Sequence, residues 1–163
     1  MSSRVVRGGT AVLALIALAA CSGGKNSTPA GGAASTAATP SPSSGAAGAA
    51  ATGKVWDVKM YGDAKGYRFD PKTLTISVGD AVRWVFVSGG PHDVTFWADS
   101  VPKGAQAPLQ ANMPNTIAPL TAPMTMNAGE SYTVSFAGLP PGFYTYYCTP
   151  HLAMGMVGTI TVK

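Results

Sequence analysis

Gly142-Phe143-Tyr144-Thr145-Tyr146-Tyr147-Cys148-Thr149-Pro150-His151-Leu152-Ala153-Met154-Gly155-Met156, followed by Val157-Gly158-Thr159-Ile160-Thr161-Val162, holds two strand signals around one short loop. Phe143 to Cys148 and Val157 to Val162 are rich in aromatic and β-branched residues in alternation, the pattern of half-buried strands. The loop between them gathers a thiol (Cys148), an imidazole (His151) and a thioether (Met156). Pro150 stiffens the turn, and Gly155 and Gly158 permit close backbone approach. A Pro-His pair places His92 far upstream, and the chain has only two histidines, so both are accounted for. Two imidazoles and a thiolate with a weak axial thioether suit electron-transfer copper, because sulfur favours Cu(I) while nitrogen keeps Cu(II) bound. His92, Cys148, His151 and Met156 are the candidate ligands.

Outward from this loop the text is that of a β-protein. Val55 to Met60, Leu74 to Val78, Val82 to Val87, His92 to Trp97 and Ser131 to Phe136 each read as a strand, with a turn at Val78-Gly79-Asp80-Ala81. Seven or eight short strands without helical periodicity predict an all-β, two-sheet Greek-key sandwich over residues 54–163. The stretch Ala98 to Ala128 carries five prolines and little alternation. A loop of that length rarely lacks structure of its own, and a crossover with one helical turn or a short strand near Thr116 to Leu120 is expected.

The first part of the chain is different in kind. Arg4 and Arg7 precede an apolar run from Ala11 to Ala20, the n-region and h-region of a secretory signal and too short to span a bilayer. Leu18-Ala19-Ala20-Cys21 resembles the lipobox of bacterial lipoproteins, which implies cleavage of 1–20 and a diacylglycerol on Cys21. Two or more acyl chains make attachment to a membrane stable. The alternatives are an ordinary cleavage leaving Cys21 spare, or a Cys21–Cys148 disulfide in an oxidising compartment. Ser22 is not the Asp that commonly holds lipoproteins in an inner membrane. Ser22 to Gly53 is nearly all Ala, Gly, Ser, Thr and Pro and cannot bury a core; as flexible coil it would reach roughly 30 Å. The expected organisation is a signal peptide (1–20), a lipid-anchored linker (21–53) and one folded domain, exported and held at the outer face of a bacterial membrane.

Charge excludes one class of partner. The formal net charge is +4, and loss of Arg4 and Arg7 leaves nine Lys and Arg against seven Asp and Glu, or +2. No basic cluster is present, so no nucleic-acid surface is expected. Nothing in the chain predicts an oligomer, and a monomer is expected.

Over residues 54–163 the order of motifs resembles the plastocyanin family of cupredoxins: Phe69-x-Pro71, Val78-Gly79-Asp80, Trp84, Pro91-His92-x-Val94-x-Phe96 and Gly129-Glu130. Gly142-x-Tyr144-x-Tyr146-Tyr147-Cys148-x-Pro150-His151 and Gly155-Met156-Val157-Gly158 complete it. The resemblance implies the cupredoxin fold and one type 1 (blue) copper ion on His92, Cys148, His151 and Met156, carrying single electrons. Met156 is preferred to Met154 because the Met-x-Gly step that opens the last strand in plastocyanins and amicyanins falls there. The family usually has Asn after the first histidine, tying the two ligand loops together. Here Asp93 can accept the same N–H bonds but cannot donate, and its charge would favour Cu(II).

The expected work is outer-sphere electron transfer through the edge of His151, between redox protein partners in the membrane or periplasm. Pro91, Pro150, Leu152, Ala153 and Met154 are the expected docking face, suited to brief contacts. An enzyme is not expected, since copper oxidases and nitrite reductases of this fold need further histidines for a second metal centre. The competing reading is an extracytoplasmic copper chaperone or buffer; the chain has seven methionines, but they form no Met-x-x-Met array.

Overall fold

The computed structural model describes residues 48–163. The expected signal segment, Cys21 and most of the linker lie outside the described residues. Eight strands form two four-stranded sheets. In chain order they are β1 (Val55–Asp63), β2 (Gly66–Asp70), β3 (Thr73–Ile76), β4 (Ala81–Phe86), β5 (Thr95–Phe96), β6 (Ser131–Ser135), β7 (Gly142–Tyr147) and β8 (Val157–Val162). One sheet runs β2-β1-β4-β6 and the other β3-β8-β7-β5. The pairs β1·β4 and β3·β8 are parallel and the rest antiparallel. From β2 to β7 each strand lies in the opposite sheet to the one before it, giving the expected sandwich.

Alternation decides which residues meet in the middle. Val58 and Met60 of β1, Val82, Trp84 and Phe86 of β4, and Tyr132 and Val134 of β6 line one inner face. Tyr144 and Tyr146 of β7, Ile160 and Val162 of β8 and Phe96 of β5 line the other. Trp84 and Tyr146 meet edge to face across the two sheets, with ring centroids 5.2 Å apart. Gly158 lies opposite Tyr146, and a methyl group there would collide with the phenol ring. The glycine is therefore a packing requirement of the core directly beneath Cys148.

Two strands differ from the expectation. β2 was absent from the sequence reading. It is an edge strand whose Arg68 and Asp70 flank a single fully buried residue, Phe69, so it carries too little alternation to read. The segment His92 to Trp97 forms only the two-residue β5; Pro91 has no N–H to donate, and Asp93 turns its side chain to a neighbouring loop. His92 accordingly sits on the connection that leads from β4 of one sheet to β5 of the other.

The excursion after β5 holds a helix earlier than expected, α1 (Gln106–Asn112), with Leu109 buried. Pro108 is tolerated because it lies in the first turn, where backbone N–H groups lack helical partners anyway. Near the expected place the chain makes only single bridges, Ala118 to Thr121 and Thr121 to Thr95. Gln110 braces this stretch: its Oε1 accepts the Leu120 N–H at 2.6 Å and its amide donates to Thr116 Oγ1 at 2.7 Å.

The chain reaches the domain at the pole opposite the ligand loop. Thr52 and Gly53 donate to the Gly79 carbonyl at 2.9 and 3.0 Å, and Ala49 donates to Asn112 Oδ1 at 2.8 Å. Asp80 accepts the Trp56 indole N–H and the Lys54 N–H, both at 2.8 Å, and the Ser77 N–H at 3.0 Å. Those bonds, the indole's foremost, hold its carboxyl below the usual range. The last linker residues are thus bonded to the domain floor before β1 begins. No helix among the described residues is long and apolar enough to cross a membrane.

Candidate metal centre

Cys148 follows β7, and its loop closes on itself through the backbone. Cys148 N–H donates to Met156 O at 3.1 Å, His151 N–H to Cys148 O at 3.1 Å and Met156 N–H to His151 O at 3.2 Å. A 3-10 turn spans Thr149–Met154 with Pro150 near its start, and Gly155 ends it in the left-handed region at φ 80°. That conformation favours glycine, and it lets the chain reverse so that Met156 returns beneath the loop.

His92 comes from the opposite side. Its backbone exchanges two hydrogen bonds with Thr125, at 3.1 and 2.7 Å, and the Thr125 hydroxyl adds a third to the His92 carbonyl at 2.9 Å. The two ligand loops are joined by Asp93, whose Oδ1 accepts the Thr149 N–H at 2.6 Å. The Thr95 hydroxyl bridges Thr149 Oγ1 at 3.1 Å. The carboxylate therefore makes the loop-to-loop tie expected of it.

These elements bring three ligand atoms together. Cys148 Sγ lies 3.6 Å from His92 Nδ1 and 3.3 Å from His151 Nδ1, and one ligand atom from each residue falls within 4.8 Å of the others. Ligand atoms about 2.0–2.3 Å from one ion, at trigonal or tetrahedral angles, stand about 3.5 Å apart, so the three fit a single metal ion. All three residues are buried, and Cys148 is a free thiol. Met156 is fully buried whereas Met154 is 57% exposed, which leaves Met156 as the thioether on the inner side of the loop.

Burial sets the protonation of the set. It pushes the Cys148 thiol up to about 12 and lowers both histidines from their ordinary value. The lowered histidines favour the neutral imidazole that binds metal, while the thiol must lose its proton as metal arrives.

A family model for copper binding proteins of the plastocyanin/azurin family matches residues 56–163. The chain belongs to that family. Copper is its cofactor. Plastocyanin of Prochlorothrix hollandica is 42% identical over 113 residues, covering 69% of this chain and 76% of that protein. Plastocyanin of a Synechococcus strain is 44% identical over 113 residues, with the same coverage of 69% and 76%. Among solved structures, a mutant plastocyanin of fern, in its oxidised and reduced forms, aligns with a TM-score of 0.51 at 31% identity. It covers 66% of this chain and 99% of that one.

Of the residues expected to form the docking face, Leu152, Ala153 and Met154 are exposed beside His151, and Pro91 and Pro150 are half-buried. Met124 and Met126, 39% and 62% exposed, were not read as part of it. They flank Thr125, whose backbone pairs with His92. Tyr67 of β2 was missed altogether: its ring stacks on His151 with centroids 3.7 Å apart and planes 16° from parallel. No local pattern marks such a contact, because β2 and the ligand loop are far apart in the chain.

Proposed function

We propose that this protein is an exported one-electron carrier, with type 1 copper ligated by His92, Cys148, His151 and Met156. The observation that supports it most directly is the convergence of two imidazole nitrogens on one buried thiol, with Met156 buried at the end of the same loop. Copper bound there supplies a one-electron couple between Cu(I) and Cu(II). The protein's part is rigidity: Asp93, Thr125 and the closed backbone of the ligand loop keep the ligands in one arrangement. His151, 5% exposed, is the ligand nearest solvent, and Leu152, Ala153 and Met154 around it present an apolar face to redox protein partners. Charges are lacking from Ala105 to Leu120, so docking relies on that face more than on electrostatic steering.

The test sets electron transfer against metal transfer. Copper-loaded protein is mixed with a one-electron reductant and then an oxidant, and separately with a copper-free acceptor protein. The carrier reading expects reversible exchange of one electron per copper with the metal retained. Release of copper to the acceptor at a rate comparable to electron exchange would establish a chaperone or buffer instead.

The axial assignment has its own test. A thioether in that position interacts weakly and mainly tunes the potential. Met156→Leu is expected to keep the blue colour and raise the potential, Met156→Gln to lower it, and Met154→Leu to do neither. Voltammetry of the three variants decides; a shift from Met154→Leu alone reverses the assignment.

Membrane attachment through a lipid on Cys21 belongs to the same reading. The ordered attachment of residues 48–53 at the pole opposite the metal would leave the docking face free to meet partners. Cys21→Ser is expected to move most of the protein from the membrane fraction to the soluble fraction of cells. Full retention of the processed variant in membranes would refute the lipid anchor.

A further inference from the structure

The two histidines of the metal centre are not held in the same way. His92 is fully buried, and its Nε2 lies 2.9 Å from the Ser88 carbonyl, the kind of outer partner that fixes the ring and tautomer of a metal-binding histidine. Phe86 closes its other side edge-on, with ring centroids 5.0 Å apart. His151 has no such partner: among the described residues no group hydrogen-bonds its Nε2, and its loop lies at the surface. What lies against it is the face of Tyr67.

The fold makes room for that face. Tyr67 pairs across the β1–β2 ladder with Gly62, and a methyl group at Gly62 would stand 2.5 Å from the Tyr67 ring and 2.9 Å from Gly89 Cα. Gly89 has a positive φ of 72° and packs against the Gly62 backbone. The two glycines let β1, Tyr67 and the loop leading to His92 approach one another closely. The Tyr67 ring also stands edge-on to His92, centroids 6.2 Å apart. Its hydroxyl makes no hydrogen bond among the described residues, so the ring alone carries the contact.

We infer that Tyr67 is the positioning residue for His151, taking by aromatic stacking the role that the Ser88 carbonyl has for His92. This rests on the assignment of His151 as a copper ligand. The stack opposes rotation of the imidazole away from the thiol, the movement that would open the metal centre to solvent. It thereby slows metal loss from the reduced protein and limits the change of ligand geometry between oxidation states. An aromatic pair of this kind is worth up to about a tenfold change in an equilibrium.

The experiment compares Tyr67→Leu and Tyr67→Phe with the parent protein, all copper-loaded and reduced, by the rate at which a Cu(I) chelator extracts the metal. Tyr67→Leu is expected to speed extraction about five- to tenfold and to slow electron self-exchange, whereas Tyr67→Phe stays within about twofold on both. A purely structural role would lower the unfolding temperature of the copper-free variant and leave extraction unchanged. Extraction within twofold for a folded Tyr67→Leu overturns the inference. If that variant does not fold, the parent protein still decides: the His151 ring protons of the reduced form must show the upfield shift caused by a stacked aromatic face, and unshifted protons overturn it. Failure of the ligand assignment looks different, because His151→Ala would then keep its blue colour.

Discussion

Copper-loaded protein carrying Cys148→Ser is expected to be colourless and fully folded, where the parent protein is intensely blue. The colour arises from charge donated by the thiolate to Cu(II), and no other thiol among the described residues can replace it. The fold survives because serine is slightly smaller than cysteine and its hydroxyl need not be left unpaired. The position lies beside both imidazoles, whose Nδ1 atoms are 3.3 and 3.6 Å from the present sulfur, so in the loaded variant the hydroxyl oxygen has the bound copper as its partner. A buried hydroxyl with a partner avoids the roughly 1–3 kcal/mol cost of an unsatisfied one. Visible absorption and circular dichroism of the loaded variant check both halves. A parent protein that stays colourless with one bound copper would remove the type 1 assignment itself.

Removing copper is expected to leave a domain stable over a narrower pH range than the loaded protein. The metal ligands act at both ends of that range: the two histidines add to the lowered carboxylates Asp57, Asp63, Asp80 and Glu130 on the acid side, and Cys148 adds to the buried Tyr132, Tyr144 and Tyr146, all pushed up, on the alkaline side. Burial lowers both histidines below their ordinary value of 6.5, so on acidification the unfolded chain takes up protons that the folded one refuses. The unfolded state then binds more protons, and stability falls as the pH drops below about 6.5. Burial pushes the Cys148 thiol from its ordinary value of 9.0 up to about 12, which acts in the other direction. Between those limits the unfolded thiol ionises while the folded one stays protonated, so stability falls again as the pH rises through that interval.

Copper binding reverses the second of these losses, because the bound thiolate no longer carries a proton and the metal competes better as protons become scarce. Stabilisation by a ligand held at a thousandfold excess over its dissociation constant is about 4 kcal/mol, and here it is expected to grow with pH. Thermal unfolding of copper-free and copper-loaded protein from acid to alkaline pH measures this. Copper-free Cys148→Ser is expected to lose part of the fall in stability above pH 9; an alkaline profile identical to the parent's would show that the thiol is not buried in the folded domain.

The part of this protein that could be read from its sequence is the part encoded locally. Val157–Val162 has the bounds expected of it, and β1, β4, β6 and β7 shift by at most a few residues at their ends, because alternation over five or six residues is enough to define a strand. The metal set was legible for a similar reason. Cys148, His151 and Met156 lie on one turn, whose Pro150 and Gly155 announce its shape, and the only other histidine had to be the remaining nitrogen. Asp93 was legible through the family resemblance, which puts a loop-tying side chain directly after the first histidine, and its carboxylate does accept the Thr149 N–H.

Tertiary structure decided what depends on residues distant in the chain. β2 is a strand because β1 pairs with it, not because its own residues alternate cleanly. α1 forms where Leu109 and Ala105 find the core, although Pro108 argues against a helix when read alone. Tyr67 covers His151 because Gly62 on β1 and Gly89 on the loop leading to His92 leave space for its ring, a coincidence of three positions that no window of sequence contains. Local periodicity specifies which elements form and which side chains they offer. Which of those side chains close around a metal, and what braces them, follows only when the two sheets pack and bring the poles of separate strands to one place.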